Sequence, residues 1–351
     1  MKKVKIYTVL IILILSTLSL TSIAQIENKN QVEKTTYTIT TEDDVEINLI
    51  RYDGTKTPVL MIPGMFENHL IFDFDNETSL AKYLANEGYD TWVLNLRSHD
   101  GDGDPRTESE NISKFWDFDQ DYLRKDMVAA VDFIKNETGF EKIFLLGHSM
   151  GGYLAYAYAE LINQSDIAGI VGIAPTGVAY EMDFTMKLLR SIYCRKTIQG
   201  EIVPRLFAKK LDLNNNFIMK LGVKTESFYK FETSFEKQRK FINTIDAEPI
   251  GVVIDMLYGF DEDYKDGHWW DPQTGYDYTD NLKNITVPIV LIGGKQDVSD
   301  KVEDIAETFN HIGSEDKEIH ILDGYGHVDL LLGKNAEQGV YPLVGSWLNL
   351  R

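Results

Sequence analysis

The sequence predicts an α/β domain: a mostly parallel sheet with helices on both faces and a helical cap inserted over the sheet's carboxyl edge. Three observations carry this. Apolar runs recur at Pro58–Ile62, Asp90–Leu96, Ile143–Leu146, Ile167–Ala174 and Val287–Gly293, as expected of strands buried on both faces of a parallel sheet. Helical patterns alternate with them at Ser79–Asn86, Asp119–Asn136 and Gly151 to about Asn163, and such alternation calls for parallel strands layered between helices. The rhythm breaks at Pro175 and resumes at Val287, across a helical or irregular segment rich in Met, Phe, Tyr and Trp. The chain divides accordingly into a leader at 1–24, a first core part at 25–175, a cap at 176–285 and a second core part at 286–351. Folds of this kind run to ~250 residues or more without splitting, so one large domain with an insertion accounts for the length.

The leader begins with Lys2, Lys3 and Lys5, continues through an apolar stretch from Ile6 to Leu20, and ends at Ser22-Ile23-Ala24 before Gln25. A basic start, an apolar middle and small residues before the junction are the marks of a cleaved export signal. The apolar stretch is short for a membrane span of ~20 residues, so no permanent span is expected. No cysteine follows it to carry a lipid anchor, and Cys194 is the only cysteine in the chain, which excludes an internal disulfide. These features fit a bacterial periplasmic or secreted protein. The formal charge is −20, from 35 Lys+Arg against 55 Asp+Glu, and loss of the leader lysines deepens it. Such a surface repels nucleic acid and anionic lipid headgroups, which excludes both as partners.

Taken in order, Thr35–Thr40 and Val45–Tyr52 alternate apolar and polar residues around Glu42-Asp43-Asp44 and predict a hairpin. Pro58–Ile62 is a buried strand ending in the turn Pro63-Gly64-Met65-Phe66, and Ser79–Asn86 is a helix stopped at Gly88. Lys142 leads into Ile143–Leu146 and then Gly147-His148-Ser149-Met150-Gly151-Gly152, followed by a helical pattern rich in Ala and Tyr. This is G-x-S-x-G set between a strand and a helix, the nucleophile elbow that leaves a serine hydroxyl exposed at the strand's end. The five residues alone arise by chance in roughly one chain in ten of this length. The flanking strand and helix supply the rest of the signal. After the insertion, Ser299–Ile312 reads as a helix, Glu318–Leu322 as the last strand and Ala336–Leu350 as the last helix.

A serine hydroxyl needs a base to become a nucleophile, and the base needs a carboxylate to orient it. On an elbow of this kind the partners follow in the order Ser, Asp or Glu, His, at the carboxyl ends of late strands. Of seven histidines, His148 adjoins the serine, His69 and His99 precede it, His268 falls in the cap, and His311 and His320 lie within a helix and a strand. His327 remains, in the loop Asp323-Gly324-Tyr325-Gly326-His327-Val328-Asp329 after the last strand. The carboxylate belongs after the preceding strand, where Asp297 follows Gly293-Gly294-Lys295-Gln296; Asp300 is the rival but reads as an ordinary first-turn helix acid beside a Ser299 cap. Two backbone donors complete the set for acyl transfer: the Met150 N–H, right after the serine, and the Met65 N–H in the Pro63-Gly64-Met65 turn. No cofactor or metal is called for. Asp100-Gly101-Asp102-Gly103-Asp104 lacks the glycine and glutamate of a calcium loop, having Pro105 and Asn111 at those places, and reads as a solvated acidic loop. Trp269 and Trp270 serve equally as an acyl-binding wall or as ordinary cap core.

These residues resemble the α/β-hydrolase acid lipases of the gastric and lysosomal type. The resemblance covers most of the mature chain outside the cap and is carried by the segment Ser79–Trp92, Phe115-Trp116-Asp117-Phe118 with Asp126–Ile134, and Gly326-His327-Val328-Asp329 followed by Tyr341. It implies the α/β-hydrolase fold and a serine esterase or lipase with Ser149 as nucleophile, Asp297 as acid, His327 as base and Met65 and Met150 as oxyanion donors. The chain departs from the family in having Pro63 for its usual His, Met150 for Gln after the serine and Arg97-Ser98-His99 for Arg-Gly-Asn. The family's cap does not carry over, so triacylglycerol specificity is not transferred. Thioester or amide cleavage, acyl transfer on the same three residues, or a silent hydrolase-like binding protein are the alternatives.

Overall fold

Within each buried strand neighbouring side chains point to opposite faces, and two separate cores result. Val59, Met61, Phe144 and Leu146 enter one core, while Leu60, Ile62, Ile143 and Leu145 enter the other. The structure is a computed structural model that describes residues 32–99, 116–179, 194–196, 202–204, 210–211, 233–246, 248–259 and 267–351. The leader, the acidic loop at 100–104 and much of the cap lie outside the described residues.

The strands are β1 (Lys34–Thr40), β2 (Glu46–Tyr52), β3 (Lys56–Ile62), β4 (Tyr89–Asn95), β5 (Ile143–His148) and β6 (Ile167–Ile173) before the insertion. The insertion carries β7 (Cys194–Lys196), β8 (Ile202–Pro204), β9 (Lys210–Leu211) and β10 (Glu248–Pro249), and the core closes with β11 (Ile289–Gly294) and β12 (Lys317–Leu322). The main sheet has the order β1-β2-β4-β3-β5-β6-β11-β12. The β1–β2 and β2–β4 pairs are antiparallel and the rest parallel. β11 pairs directly with β6, Ile289 opposite Ile170, so the insertion leaves and re-enters the sheet between adjacent strands. Strand order reverses between β3 and β5, and ligands of open α/β sheets bind outside the carboxyl ends at such a point.

The helices are α1 (Leu80–Asn86), α2 (Val128–Thr138), α3 (Met150–Leu161), α4 (Phe235–Thr244), α5 (Ile250–Gly259), α6 (Tyr278–Asn281), α7 (Val302–His311), α8 (Asp329–Leu332) and α9 (Ala336–Asn349). α1 and α9 pack on one face of the sheet, and α2, α3 and α7 on the other. Ser79 caps α1 by accepting from the Lys82 N–H, and α2 stops at Gly139, whose φ of 76° suits only glycine without strain. Among the described residues no helix is long and apolar enough to cross a membrane.

Three elements differ from expectation. The stretch predicted as helix from Asp119 is wound as a π-helix over Phe118–Met127 before becoming α-helical. That winding puts Asp121 and Asp126, one π-turn apart, against the same buried guanidinium of Arg97. The helix expected from Ser299 starts at Val302, because the Asp297 carboxylate takes the N–H groups of Ser299 and Asp300 and holds a turn there. The insertion is not purely helical: β7 pairs with β8 and β9 with β10, both antiparallel, in strands too short for sequence periodicity to show.

Candidate active site

The serine sits where the sheet reverses. Ser149 follows the last residue of β5 at φ 52° and ψ −123°, a conformation that costs a non-glycine residue of order 1–3 kcal/mol and persists only when its surroundings fix it. Its N–H donates to the Ile173 carbonyl at 2.9 Å, and its carbonyl accepts from Gly152 at 2.8 Å. The glycines of the motif are steric requirements. A Cβ on Gly147 would lie 2.2 Å from the Gly151 carbonyl carbon, and one on Gly151 would lie 2.0 Å from the Ile62 oxygen.

His327 occupies the loop between β12 and α8, behind the elbow. Its Nδ1 lies 2.8 Å from Asp297 and 3.3 Å from Asp300. Asp297 stands at the end of β11 as expected, with its second oxygen bound to the Ser299 and Asp300 N–H groups. Asp300 is not the solvated helix acid its position suggested: it is buried, and its other oxygen accepts from the hydroxyls of Tyr153 at 2.8 Å and Thr176 at 3.0 Å. Burial works to lower the His327 pKa, but the Asp297 charge and hydrogen bond, with Asp300 and Glu67 beyond, outweigh it and push it up to about 10. Burial pushes the Asp300 carboxyl up to about 6, opposed by the imidazole's charge and reinforced by Asp297. With Nδ1 committed to carboxylate, Nε2 is the nitrogen left to face a hydroxyl. Among the described residues no hydrogen bond joins it to the Ser149 hydroxyl; such bonds commonly tighten only with substrate in place.

The Pro63-Gly64-Met65 turn packs directly on the serine, and a Cβ on Gly64 would lie 3.0 Å from the Ser149 Cβ. The N–H groups on either side of Met65 are taken, Gly64 by Glu67 and Phe66 by Glu248, both at 2.7 Å. Met65 between them has no partner among the described residues, and Met150 opens α3 with one of the helix's free N–H groups. His148 is fully buried beneath the serine, its Nδ1 2.8 Å from Glu67 and its Nε2 3.3 Å from the His327 carbonyl.

The structure therefore brings Asp297 onto His327, sets the His327 ring beside His148 with centroids 4.8 Å apart, and lays the Met65 turn on Ser149. Sequence reasoning missed Glu67, Glu248 and Asp329. The last accepts the Gly326 N–H and the Thr233 hydroxyl and so steadies the histidine loop. Acids in loops are common, and only the fold shows which are buried. Trp269 is core, packed on Phe118, Tyr153 and Tyr278. Among the described residues two clusters place three metal-capable side chains within 4.8 Å of one another: Asp297 with Asp300 and His327, and His268 with Asp277 and Asp280. In the second, His268 meets one Asp277 oxygen while the other caps the Asp280 N–H, so internal hydrogen bonds account for it.

Comparisons with known proteins agree with this architecture. Residues 57–193 match the family model described as the alpha/beta hydrolase fold. Human (Homo sapiens) lipase member N is 26% identical over 87% of this chain and 85% of its own length. Gastric triacylglycerol lipase of Mus musculus is 25% identical over 75% of this chain and 72% of its own. Among solved structures, a thermophilic esterase from Thermogutta terrifontis superposes with a TM-score of 0.62 at 18% identity, covering 90% of this chain and 98% of that one. The chain has the α/β-hydrolase fold, and over most of its length it is similar to lipases of the gastric type.

Proposed function

We propose that the chain is an exported serine hydrolase that cleaves carboxylic esters. Ser149 attacks the ester carbonyl as His327 Nε2 takes its proton, Asp297 holds the ring through Nδ1, and the imidazolium returns the proton to the departing alcohol. The tetrahedral oxyanion rests on the Met65 and Met150 N–H groups, and water repeats the cycle on the acyl-enzyme. The observation that carries this reading is the strained Ser149 at the β3/β5 reversal with a carboxylate-held imidazole in the loop behind it. The leader at 1–24 supports export, and the strong net acidity supports a neutral ester rather than an anionic polymer or membrane as substrate. Hydrolysis of short p-nitrophenyl esters tests it. Ser149→Ala is expected to abolish turnover on folded protein; unchanged turnover contradicts the proposal.

A further inference from the structure

Both main-chain groups of Phe66 are held by the inserted segment. Its N–H donates to Glu248 at 2.7 Å, and its carbonyl accepts from the Asp246 N–H at 2.8 Å. The Asn68 amide adds a bond to the Asp246 carboxylate at 2.9 Å. Phe66 has φ 65°, a value a bulky residue keeps only when its neighbours over-determine it. Glu248 is fully buried at the start of β10; its Oε1 accepts from the Tyr122 hydroxyl at 2.7 Å, and His99 Nε2 lies 3.4 Å from the Oε2 that accepts the Phe66 N–H. One carboxylate from the insertion thus joins the π-helix under the sheet's edge to the turn that lies on Ser149.

We infer that Glu248 is a positioning residue for the oxyanion site, and that the insertion is a working part of that site rather than only its cover. Gly64 is fixed by Glu67 within the turn, and Phe66 by Glu248 from outside it, so the single residue between them has no freedom to turn its N–H away. Without the Glu248 acceptor the Phe66 N–H is released and only the Asp246 N–H on its carbonyl still holds the residue. The peptide between Met65 and Phe66 can then turn, and the Met65 N–H moves off the place where the oxyanion forms. Donors of this kind act only within about 2.7–3.1 Å of that place, and loss of one costs roughly 10²–10³ in kcat. This inference rests on the proposed reading of Ser149 and its oxyanion donors.

The test compares Glu248→Asp, Glu248→Gln and the unaltered chain in p-nitrophenyl butyrate hydrolysis, with thermal melting as a check on folding. Aspartate keeps the charge but withdraws the acceptor by ~1.5 Å, whereas glutamine keeps an acceptor oxygen at full reach. Glu248→Asp is expected to lower kcat at least tenfold with KM within about twofold, and Glu248→Gln to retain most of kcat. Phosphonylation of Ser149 by a fluorophosphonate should slow in the same order. A folded Glu248→Asp with unaltered kcat overturns the inference, as does a Glu248→Gln no better than Glu248→Asp, which would make the charge rather than the reach decisive. If the unaltered chain neither turns over ester nor takes the label, the reading of Ser149 fails first and takes the inference with it.

Discussion

Asp300 lies 3.3 Å from the same His327 nitrogen that Asp297 holds at 2.8 Å. Two carboxylates therefore stand on one edge of the imidazole, each steadied separately. Asp297 is held by two backbone N–H groups, and Asp300 by the Tyr153 and Thr176 hydroxyls. With its orienting Asp replaced by Asn, a serine triad loses about 10⁴ in kcat because the ring adopts the wrong tautomer. Here Asp300 is in place to hold the ring. Asp297→Asn is expected to lose roughly 10–100-fold, and the Asp297→Asn/Asp300→Asn pair to fall to the full loss of about 10⁴. Steady-state kinetics on the two single variants and the pair measure this directly.

The same pairing sets the pH dependence. In the proposed mechanism His327 must be neutral to accept the serine proton, and its pKa is pushed up to about 10, mainly by Asp297 and then Asp300 acting against burial. Activity should therefore rise with pH through a limb above the ordinary histidine value of about 6.5. Removing the Asp300 charge weakens the hold on the imidazolium and lowers that pKa. In Asp300→Asn the acid limb of kcat/KM should move to lower pH, by about one unit or more. A limb that stays in place shows that Asp300 exerts no field on the base.

The elbow glycines make a steric prediction. A methyl group on Gly151 would meet the Ile62 carbonyl oxygen at 2.0 Å, a backbone atom in the middle of the sheet that cannot give way. Gly151→Ala should destabilise by about 3 kcal/mol or more and abolish ester turnover. At Gly139 a Cβ meets nothing within 4 Å, so Gly139→Ala carries only the strain of φ 76°, about 1 kcal/mol. Its activity should stay near that of the unaltered chain. Urea melts beside esterase assays separate the two.

Arg97 predicts stability without chemistry. Its fully buried guanidinium binds Asp126 at 2.8 Å, Asp121 at 3.0 Å and Asp43 at 2.9 Å, tying the end of β4 to the hairpin turn and the π-helix. Arg97→Met leaves the buried Asp126 without its cation, with Lys125 still holding Asp43 and Asp121, and breaking a buried pair costs about 3–5 kcal/mol. The measured loss should appear in the urea midpoint, while turnover per folded molecule at low temperature is kept.

How much of this was legible in the sequence follows from which forces act locally. The buried strands announced themselves because a strand covered on both faces leaves no place for charge, and Pro58–Ile62 and Ile143–Leu146 obey that. The elbow was legible because Gly147 answers a clash with Gly151 close by in sequence, although the clash that fixes Gly151 itself is with Ile62 of β3. Chain order singled out His327 and Asp297, and the structure sets them 2.8 Å apart. Asp300 was misread because a helix cap and a turn held by Asp297 look alike until the fold shows where the carboxylate points. Glu67 and Glu248 carried no signal at all: each matters through a partner in another segment, 81 residues away for the Glu67–His148 contact and 182 for Phe66–Glu248. The short strands of the insertion were too brief to show a period.

The relay between Ser149 and His327 is tested most directly by covalent trapping. Folded protein is treated with a fluorophosphonate and the labelled peptide identified by mass spectrometry, in the unaltered chain, in His327→Ala and in Ser149→Ala. The account predicts a single adduct on Ser149, slowed by about 10³ or more without the imidazole and absent in Ser149→Ala. A folded chain that takes no label, or one labelled at the same rate when His327 is gone, contradicts it.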